Sequence, residues 1–411
     1  MLAFLTALAT LSGCASSKEP PKALSIVFAS DLHHLSPEMT DYGENFMDII
    51  KHGDGKVTHY TTEITKAFVS QILSVSPDAV VLSGDITLNG DATSHEELAV
   101  MLAPLVEAGI GVYVIPGNHD VDGTAYIFSG EDILPIDAVT IPEFAEIYDG
   151  LGYSSAFSRD ESSLSYTAKL NEDLWLLMID VNGNDAKSII TENTLSWAKK
   201  QLEKAKKAGA TVIGVSHQNL LVHSSRFQFG YQMVMAEDLI ALYKKYGVKT
   251  HFSGHLHIQH IQEESGITDI ASSCIAVSPS QYGVLSIASD RSMSYQTYPV
   301  DVSAWASQNG VTDENLLNFA QYSADFFDYT TEYKTIARLE SDTLPEEDRE
   351  EMKAFAIEAN RRYFDGTLSI FLNFGSGLAL WKKNLPDSSY ISYIESMAQE
   401  SPRDMNRWPW E

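Results

Sequence analysis

The sequence predicts an α/β domain followed by a helical one, on three observations. Short apolar runs of strand character recur through residues 24–300, and five of them end in polar side chains able to bind metal ions. Between several of these runs lie stretches with helical periodicity closed by Gly or Pro, which is the grammar of strand-helix-strand units. Near Asp301 that grammar gives way to helical patterns alone. The expected division is therefore a leader and tether over 1–21, a catalytic domain over 22–300 and a helical domain over 301–411. A chain of 411 residues, 44% hydrophobic and 20% charged, is long enough for two globular domains. Its formal charge of −28 excludes binding of a DNA or RNA duplex by phosphate neutralisation, which needs clustered Lys and Arg. An anionic small molecule needs local positive charge, and bound divalent metals supply it.

At the start, an apolar run over 2–9 leads into Leu11-Ser12-Gly13-Cys14. That resembles a bacterial lipoprotein signal with Cys14 as the lipidated residue, and it is too short to span a bilayer. No Lys or Arg precedes the run, so a start other than Met1 stays open. Ala23-Leu24-Ser25-Ile26-Val27-Phe28-Ala29 reads as the first buried strand and delivers Asp31-Leu32-His33-His34. Residues 35–60 make a long polar connection, expected to form a wall of the site. Ile64, Phe68 and Ile72 mark a helix, Pro77 breaks it, and Ala79-Val80-Val81-Leu82 leads to Gly84-Asp85. Ser94-His95-Glu96-Glu97 has the form of a capping box, which places His95 in an exposed first turn of the next helix. Gly111-Val112-Tyr113-Val114-Ile115 then delivers Pro116-Gly117-Asn118-His119-Asp120.

Residues 163–170 alternate like a half-buried strand, and Leu174-Trp175-Leu176-Leu177-Met178-Ile179 is apolar on both faces, as a central strand requires. A Lys-rich helix stops at Gly209 and a second at Gly247; the strands after them deliver Ser216-His217 and Gly254-His255-Leu256-His257. Cys274 reads as a small apolar residue buried in a strand. Beyond Asp301 helices are expected over 313–339, from Pro345 onward and over 389–400, with an aromatic stripe that serves packing.

Asp31-x-His33, Gly84-Asp85, Gly117-Asn118-His119-Asp120, Ser216-His217 and Gly254-His255-x-His257 each follow a strand, in that order. Singly each is common; in series they offer carboxylate oxygen, amide oxygen and imidazole nitrogen, a donor set suited to Mn, Fe, Zn or Co. His34 would face away from the site, and His52, His59, His223, His251 and His260 stand outside the series.

This series resembles the calcineurin-like metallophosphoesterase superfamily, whose blocks are D-x-H, G-D, G-N-H-[DE], H and G-H-x-H. With its lipoprotein start, the chain looks closest to exported class III cyclic-nucleotide phosphodiesterases of Gram-positive bacteria. The resemblance implies a four-layer αββα sandwich with a C-terminal helical domain. It implies two divalent ions, Mn, Fe or Zn, one held by Asp31, His33 and His257 and one by Asn118, His217 and His255, with Asp85 bridging. A hydroxide between ions about 3.5 to 4 Å apart would attack phosphorus in line, and His119 would protonate the leaving oxygen. For Asp120 two roles stay open, orienting His119 or capping a local turn. Leu88 stands where purple acid phosphatases carry a Tyr, and Leu88-Asn89-Gly90 lacks the Asp-Arg element of the Ser/Thr phosphatases.

The expected activity is thus hydrolysis of nucleotide-like phosphodiesters, cyclic nucleotides foremost, by an extracytoplasmic, lipid-anchored enzyme. Two alternatives remain. One is an extracytoplasmic phosphomonoesterase or nucleotidase with the same centre, and the other a lipid-anchored binding protein with a vestigial metal site.

Overall fold

The computed structural model describes residues 22–183, 187–339, 344–370, 374–399 and 403–410; Cys14 and the leader lie outside them. Strand β1 (Leu24–Ala29) buries Ile26, Val27 and Phe28 completely. The chain then passes through helices α1 (Glu44–Lys51) and α2 (Thr61–Val75) to β2 (Ala79–Leu82), and through α3 (Ala92–Glu107) to β3 (Gly111–Val114). β1, β2 and β3 run parallel and adjacent. Ile64, Phe68 and Ile72 of α2 are buried, as their spacing predicts.

Helix α3 departs from the capping-box expectation. It begins at Ala92, and the N-cap is Asp91, whose side chain accepts the Ser94 N–H at 2.7 Å. Ser94 Oγ instead accepts the Ser36 N–H. His95 is fully buried rather than exposed, and its ring bridges the Tyr148 hydroxyl at 2.8 Å and the Asp120 carbonyl at 2.9 Å.

Residues 121–152, which show no clean period, form the hairpin β4 (Thr124–Ser129) and β5 (Asp132–Asp137), followed by α4 (Ile141–Ile147). A second sheet then builds from β6 (Ser158–Arg159), β7 (Tyr166–Asn171) and β8 (Leu174–Ile179). It continues through α5 (Glu192–Ala208), β9 (Thr211–Ser216), α6 (Ala236–Tyr246), β10 (Thr250–Ser253), β11 (His260–Glu264) and β12 (Ile267–Ala271). Its strand order is β11-β12-β10-β9-β8-β7-β6. Strands β13 (Gln281–Ile287) and β14 (Met293–Pro299) return to the first sheet, where β13 pairs antiparallel with β1.

The two sheets face each other. Phe28 of β1 stacks on Phe252 of β10 with ring centroids 3.5 Å apart. β8 is interior to its sheet and divides its side chains by parity: Leu174, Leu176 and Met178 join the core between the sheets, and Trp175, Leu177 and Ile179 pack with α5 and α6. With α2 and α3 on the far side of the first sheet, the layers are α, β, β, α. Cys274 is buried as expected but lies beyond the end of β12, and its thiol donates to the Asp31 carbonyl.

After β14 come α7 (Val302–Gln308), α8 (Glu314–Leu317), α9 (Phe319–Leu339), α10 (Glu346–Phe364), α11 (Phe374–Asn384) and α12 (Ser389–Ala398). The expected helix over 313–339 is thus α8 and α9. Val302, Ala306, Leu316, Phe319 and Phe326 share a core with α2 and the first sheet. α10, α11 and α12 form a separate cluster with Leu256 and Ile258, next to His255 and His257. Met352, Phe355, Ala359 and Tyr363 of the expected packing stripe are buried. Finally β15 (Arg407–Trp408) pairs with β14, so the chain ends on the edge of the first sheet. Among the described residues, no helix is long and apolar enough to cross a membrane.

Candidate metal centre

The five motifs leave the C-terminal ends of β1, β2, β3, β9 and β10, the edge where open α/β sheets gather functional groups. Backbone bonds lace the loops together: Asp31 N–H donates to the Gly84 carbonyl and His33 N–H to the Asp85 carbonyl, each at 3.0 Å. Asp31, His33, Asp85, His255 and His257 all sit in the left-handed region, at φ of 55°, 45°, 47°, 66° and 62°. Each such non-glycine residue costs on the order of 1–3 kcal/mol, so the surrounding bonds hold a strained constellation. Two motif glycines answer to close approach. A Cβ at Gly117 would collide with the Asp85 carboxylate, and one at Gly254 with the Ser30 hydroxyl.

The carboxylates are split in function. Asp31 Oδ2 accepts the His255 N–H at 3.0 Å and Asp85 Oδ1 accepts the His119 N–H at 2.9 Å. Their other oxygens face the centre: Asp31 Oδ1 is 3.2 Å from His257 Nε2, and Asp85 Oδ2 is 3.1 Å from His217 Nε2. His33 Nε2 and His257 Nε2 meet at 3.2 Å. Donor atoms of Asp31, His33, Asp85 and His257 lie within 4.8 Å of one another, and so do those of Asp85, His217 and His255. Asp85 belongs to both groups.

Carbonyls set the tautomers, because a carbonyl only accepts. His217 Nδ1–H donates to Ser83 O at 2.8 Å, which turns Nε2 toward Asp85. His255 Nε2–H donates to Gly230 O at 3.0 Å, leaving Nδ1 for the centre. Asn118 Oδ1 receives a long bond, 3.4 Å, from Gln218 Nε2, which also reaches Asn182 and Ser188.

Charge is arranged accordingly. Burial pushes the Asp85 carboxyl up, but the imidazoles of His217 and His119 outweigh it and hold the group well below the carboxylate range. Burial lowers the His217 imidazole, yet Asp85 beside it raises it to about 9. Burial and Lys56 hold His33 well below its ordinary value, and burial with His217 brings His255 to about 4. His33 and His255 therefore present lone pairs at neutral pH. Burial also pushes the Cys274 thiol up, so it stays protonated behind Asp31.

His119 is the most open of the predicted residues, its side chain 41% exposed, with Nδ1–H donating to Leu88 O at 2.9 Å and Nε2 3.9 Å from Asp85 Oδ2. Asp120 does not reach that ring. Of its two candidate roles the structure gives the turn cap: its carboxylate accepts from the backbone of Ile86, Thr87 and Gly117 and from the Thr87 hydroxyl. Asp120 is thereby corrected from a catalytic candidate to the brace joining two of the loops. His34 is buried, 3.5 Å from Glu97 and away from the cluster. The sequence reading missed Gln218, although it adjoins His217, and it missed the ion pair of Asp54 and Lys56, 3.0 Å long. Asp54-Gly55-Lys56 sits in a connection with no periodicity, and nothing there marked it beyond its charge.

Residues 24–259 match the family described as Calcineurin-like phosphoesterase. The chain belongs to that family. Residues 301–404 match the C-terminal domain of cyclic nucleotide phosphodiesterase. Among curated relatives, a "Probable cyclic nucleotide phosphodiesterase" of Ruthia magnifica is 32% identical over 88 residues, which are 21% of this chain and 35% of the relative. A "Probable glycerophosphodiester phosphodiesterase" of Arcobacter nitrofigilis is 25% identical over 276 residues, 63% of this chain and 86% of that one. A dimetal phosphatase from Danio rerio is similar in structure, with a TM-score of 0.48 and 12% identity over 67% of this chain and 95% of the other.

A calcineurin-like phosphoesterase fold implies divalent metal ions, and the residues present fit them. Asp31 Oδ1 is buried without a hydrogen-bond partner and faces the cluster. A buried acceptor left in this way costs about 1–3 kcal/mol unless a cation takes it up.

The centre opens into a cavity of about 560 Å³ lined by Asp85, His119, His255 and His257 and, across from them, by Lys334, Tyr363, Phe364 and Tyr393 of the helical region. Lys56 and Asp54 line the same cavity, so residues 35–60 do form one wall. A further chamber of about 480 Å³, which shares Asp54, Lys56 and His119 with that cavity, is walled by Ile49, Ile50, Leu88 and Phe128.

Proposed function

We propose that this phosphoesterase hydrolyses nucleotide-like phosphodiesters, with cyclic nucleotides its foremost substrates. Asp31, His33 and His257 hold one divalent ion, Asn118, His217 and His255 a second, and Asp85 contributes to both. The observation that carries this reading is the membership of Asp85 in both donor groups, with His119 facing its free oxygen from the cavity side. When bound, two such ions supply Lewis-acid charge at the phosphoryl oxygens and make water acidic enough to attack near neutral pH.

The chain's own residues do the rest. The Leu88 carbonyl keeps the proton of His119 on Nδ1 and aims Nε2 into the cavity, where a protonated ring gives its proton to the leaving alkoxide. An alkoxide leaving group needs that proton more than a nitrophenolate does. The Lys56 ammonium, paired with Asp54, lines a wall of the cavity and offers N–H donors to an anionic substrate. The match of residues 301–404 to a cyclic nucleotide phosphodiesterase domain supports the nucleotide part.

The test is a panel in Mn²⁺: bis(4-nitrophenyl) phosphate, 4-nitrophenyl phosphate and cyclic nucleotides. The reading predicts that diesters are cleaved with the higher kcat/KM; a monoester preference would replace it with the nucleotidase reading. We further infer that Cys14 is lipidated and holds the enzyme on the outer face of a membrane. Cys14→Ser should then shift the protein from the membrane to the soluble fraction, and unchanged membrane association would count against the anchor.

A further inference from the structure

The cavity over the metal centre continues into a second chamber of about 330 Å³ at the helical region, and the two share Asp54, Phe227, Lys334, Phe364 and Tyr393. Both volumes fall among those of small-ligand pockets. The second chamber differs in chemistry from the first, since its further lining includes Arg226, Thr331 and Asn360 and no group that donates to the metal cluster.

Aromatic faces line it together with one amide and the charged Asp54, Arg226 and Lys334. The Phe227 ring lies 5.8 Å from that of Tyr393. Asn360 Oδ1 accepts from the Tyr393 hydroxyl at 3.0 Å, and Asn360 Nδ2 reaches the Thr331 hydroxyl at a long 3.4 Å. An amide so placed offers a donor and an acceptor side by side, and the weaker of its two bonds is readily exchanged for one to a ligand. A ligand matched to this chamber is flat, presents a π face, carries donors and acceptors on its edge and is tethered to a phosphate in the adjoining cavity. A glycerol moiety has no π face, and an acyl chain leaves the amide unanswered.

We propose that the chamber between α9, α10 and α12 is the nucleobase subsite of this enzyme. Asn360 reads the base edge while the phosphodiester lies over the metal centre. The inference rests on the nucleotide reading of the site and assigns to the helical region the selection of substrate. The base lies against aromatic rings, which sequence-tolerant base recognition generally uses, and the amide adds discrimination between bases.

Calorimetric titration of the metal-loaded full chain with a nucleoside 5′-monophosphate and with ribose 5-phosphate tests it without turnover. The nucleotide is expected to bind at least about tenfold more tightly than the sugar phosphate, the gain that stacking one base supplies. Asn360→Trp, which fills the chamber, should bring the two ligands to similar affinity. Asn360→Ala should narrow the gap and leave ribose 5-phosphate binding as it was. Equal affinities in the unaltered protein, or a gap that survives Asn360→Trp, would overturn the proposal. Diester hydrolysis with no base preference would overturn the subsite and leave the phosphodiesterase standing; base preference with no diester hydrolysis would do the reverse.

Discussion

Asp85 organises the centre because its two oxygens are kept apart in role. One is tied to the backbone of His119, and the other is shared by the two donor groups. That division depends on Gly117, whose hydrogen is the only substituent the Asp85 carboxylate allows at that point. Gly117→Ala is therefore expected to push the carboxylate out of place. Overpacking of this kind costs about 1–3 kcal/mol in stability, and a misplacement near 1 Å costs about 100-fold in rate. Thermal melting and diester turnover on the same preparation would measure both. These residues were legible because each follows a strand, and Asp85, Asn118 and His255 stand directly after a glycine, so pattern and chemistry coincide. Asp54 and Lys56 were not, since their place beside His257 comes from the path of a long connection that no local pattern encodes.

At the scale of elements, the loops after β9 and β10 are held from behind by β12. Asp269 accepts the N–H groups of Leu220 and Leu221 and the Ser253 hydroxyl, and it stands 3.2 Å from His223 Nε2. His251 of β10 bonds Ser216, the residue before His217, at 2.8 Å. His223, His251 and His260 thus stand apart from the metal series yet brace it, a role invisible in a sequence where they are isolated letters. Burial pushes the Asp269 carboxyl up, but His223 and the backbone donors bring it to about 2. Its folded value lies below its unfolded one, so the stability it contributes is complete above roughly pH 4 and is lost as pH falls toward 2. Denaturant unfolding at pH 7 and pH 3 should show Asp269→Asn less stable at pH 7, on the order of 2 kcal/mol, with the gap shrinking at pH 3. A gap independent of pH would mean that shape rather than charge holds the loops.

Across the whole molecule, the helical region is built into the sandwich. Val302, Leu316, Phe319 and Phe326 lie in the same core as the first sheet, α10 and α12 pack on Leu256 and Ile258 beside His255 and His257, and β15 closes the sheet edge. The change from strands to helices near Asp301 was readable from periodicity, but this embedding was not. It is made by single apolar residues spread over many turns and by a two-residue strand with no period to detect. Helix α11 escaped notice as well, since Gly375 and Gly377 weaken its helical signal. Because the core is shared, calorimetry of the full chain should record one cooperative unfolding transition; two separated transitions would show that the helices fold as an independent unit.

The central claim is that one carboxylate, Asp85, serves two ions at once. Electron paramagnetic resonance of the protein loaded with Mn²⁺ tests it most directly, because a shared carboxylate couples the spins of two close ions. The account predicts a coupled-pair spectrum that Asp85→Ala converts to that of isolated Mn²⁺. A spectrum of isolated ions in the unaltered protein, or a coupled pair that persists in Asp85→Ala, would contradict it.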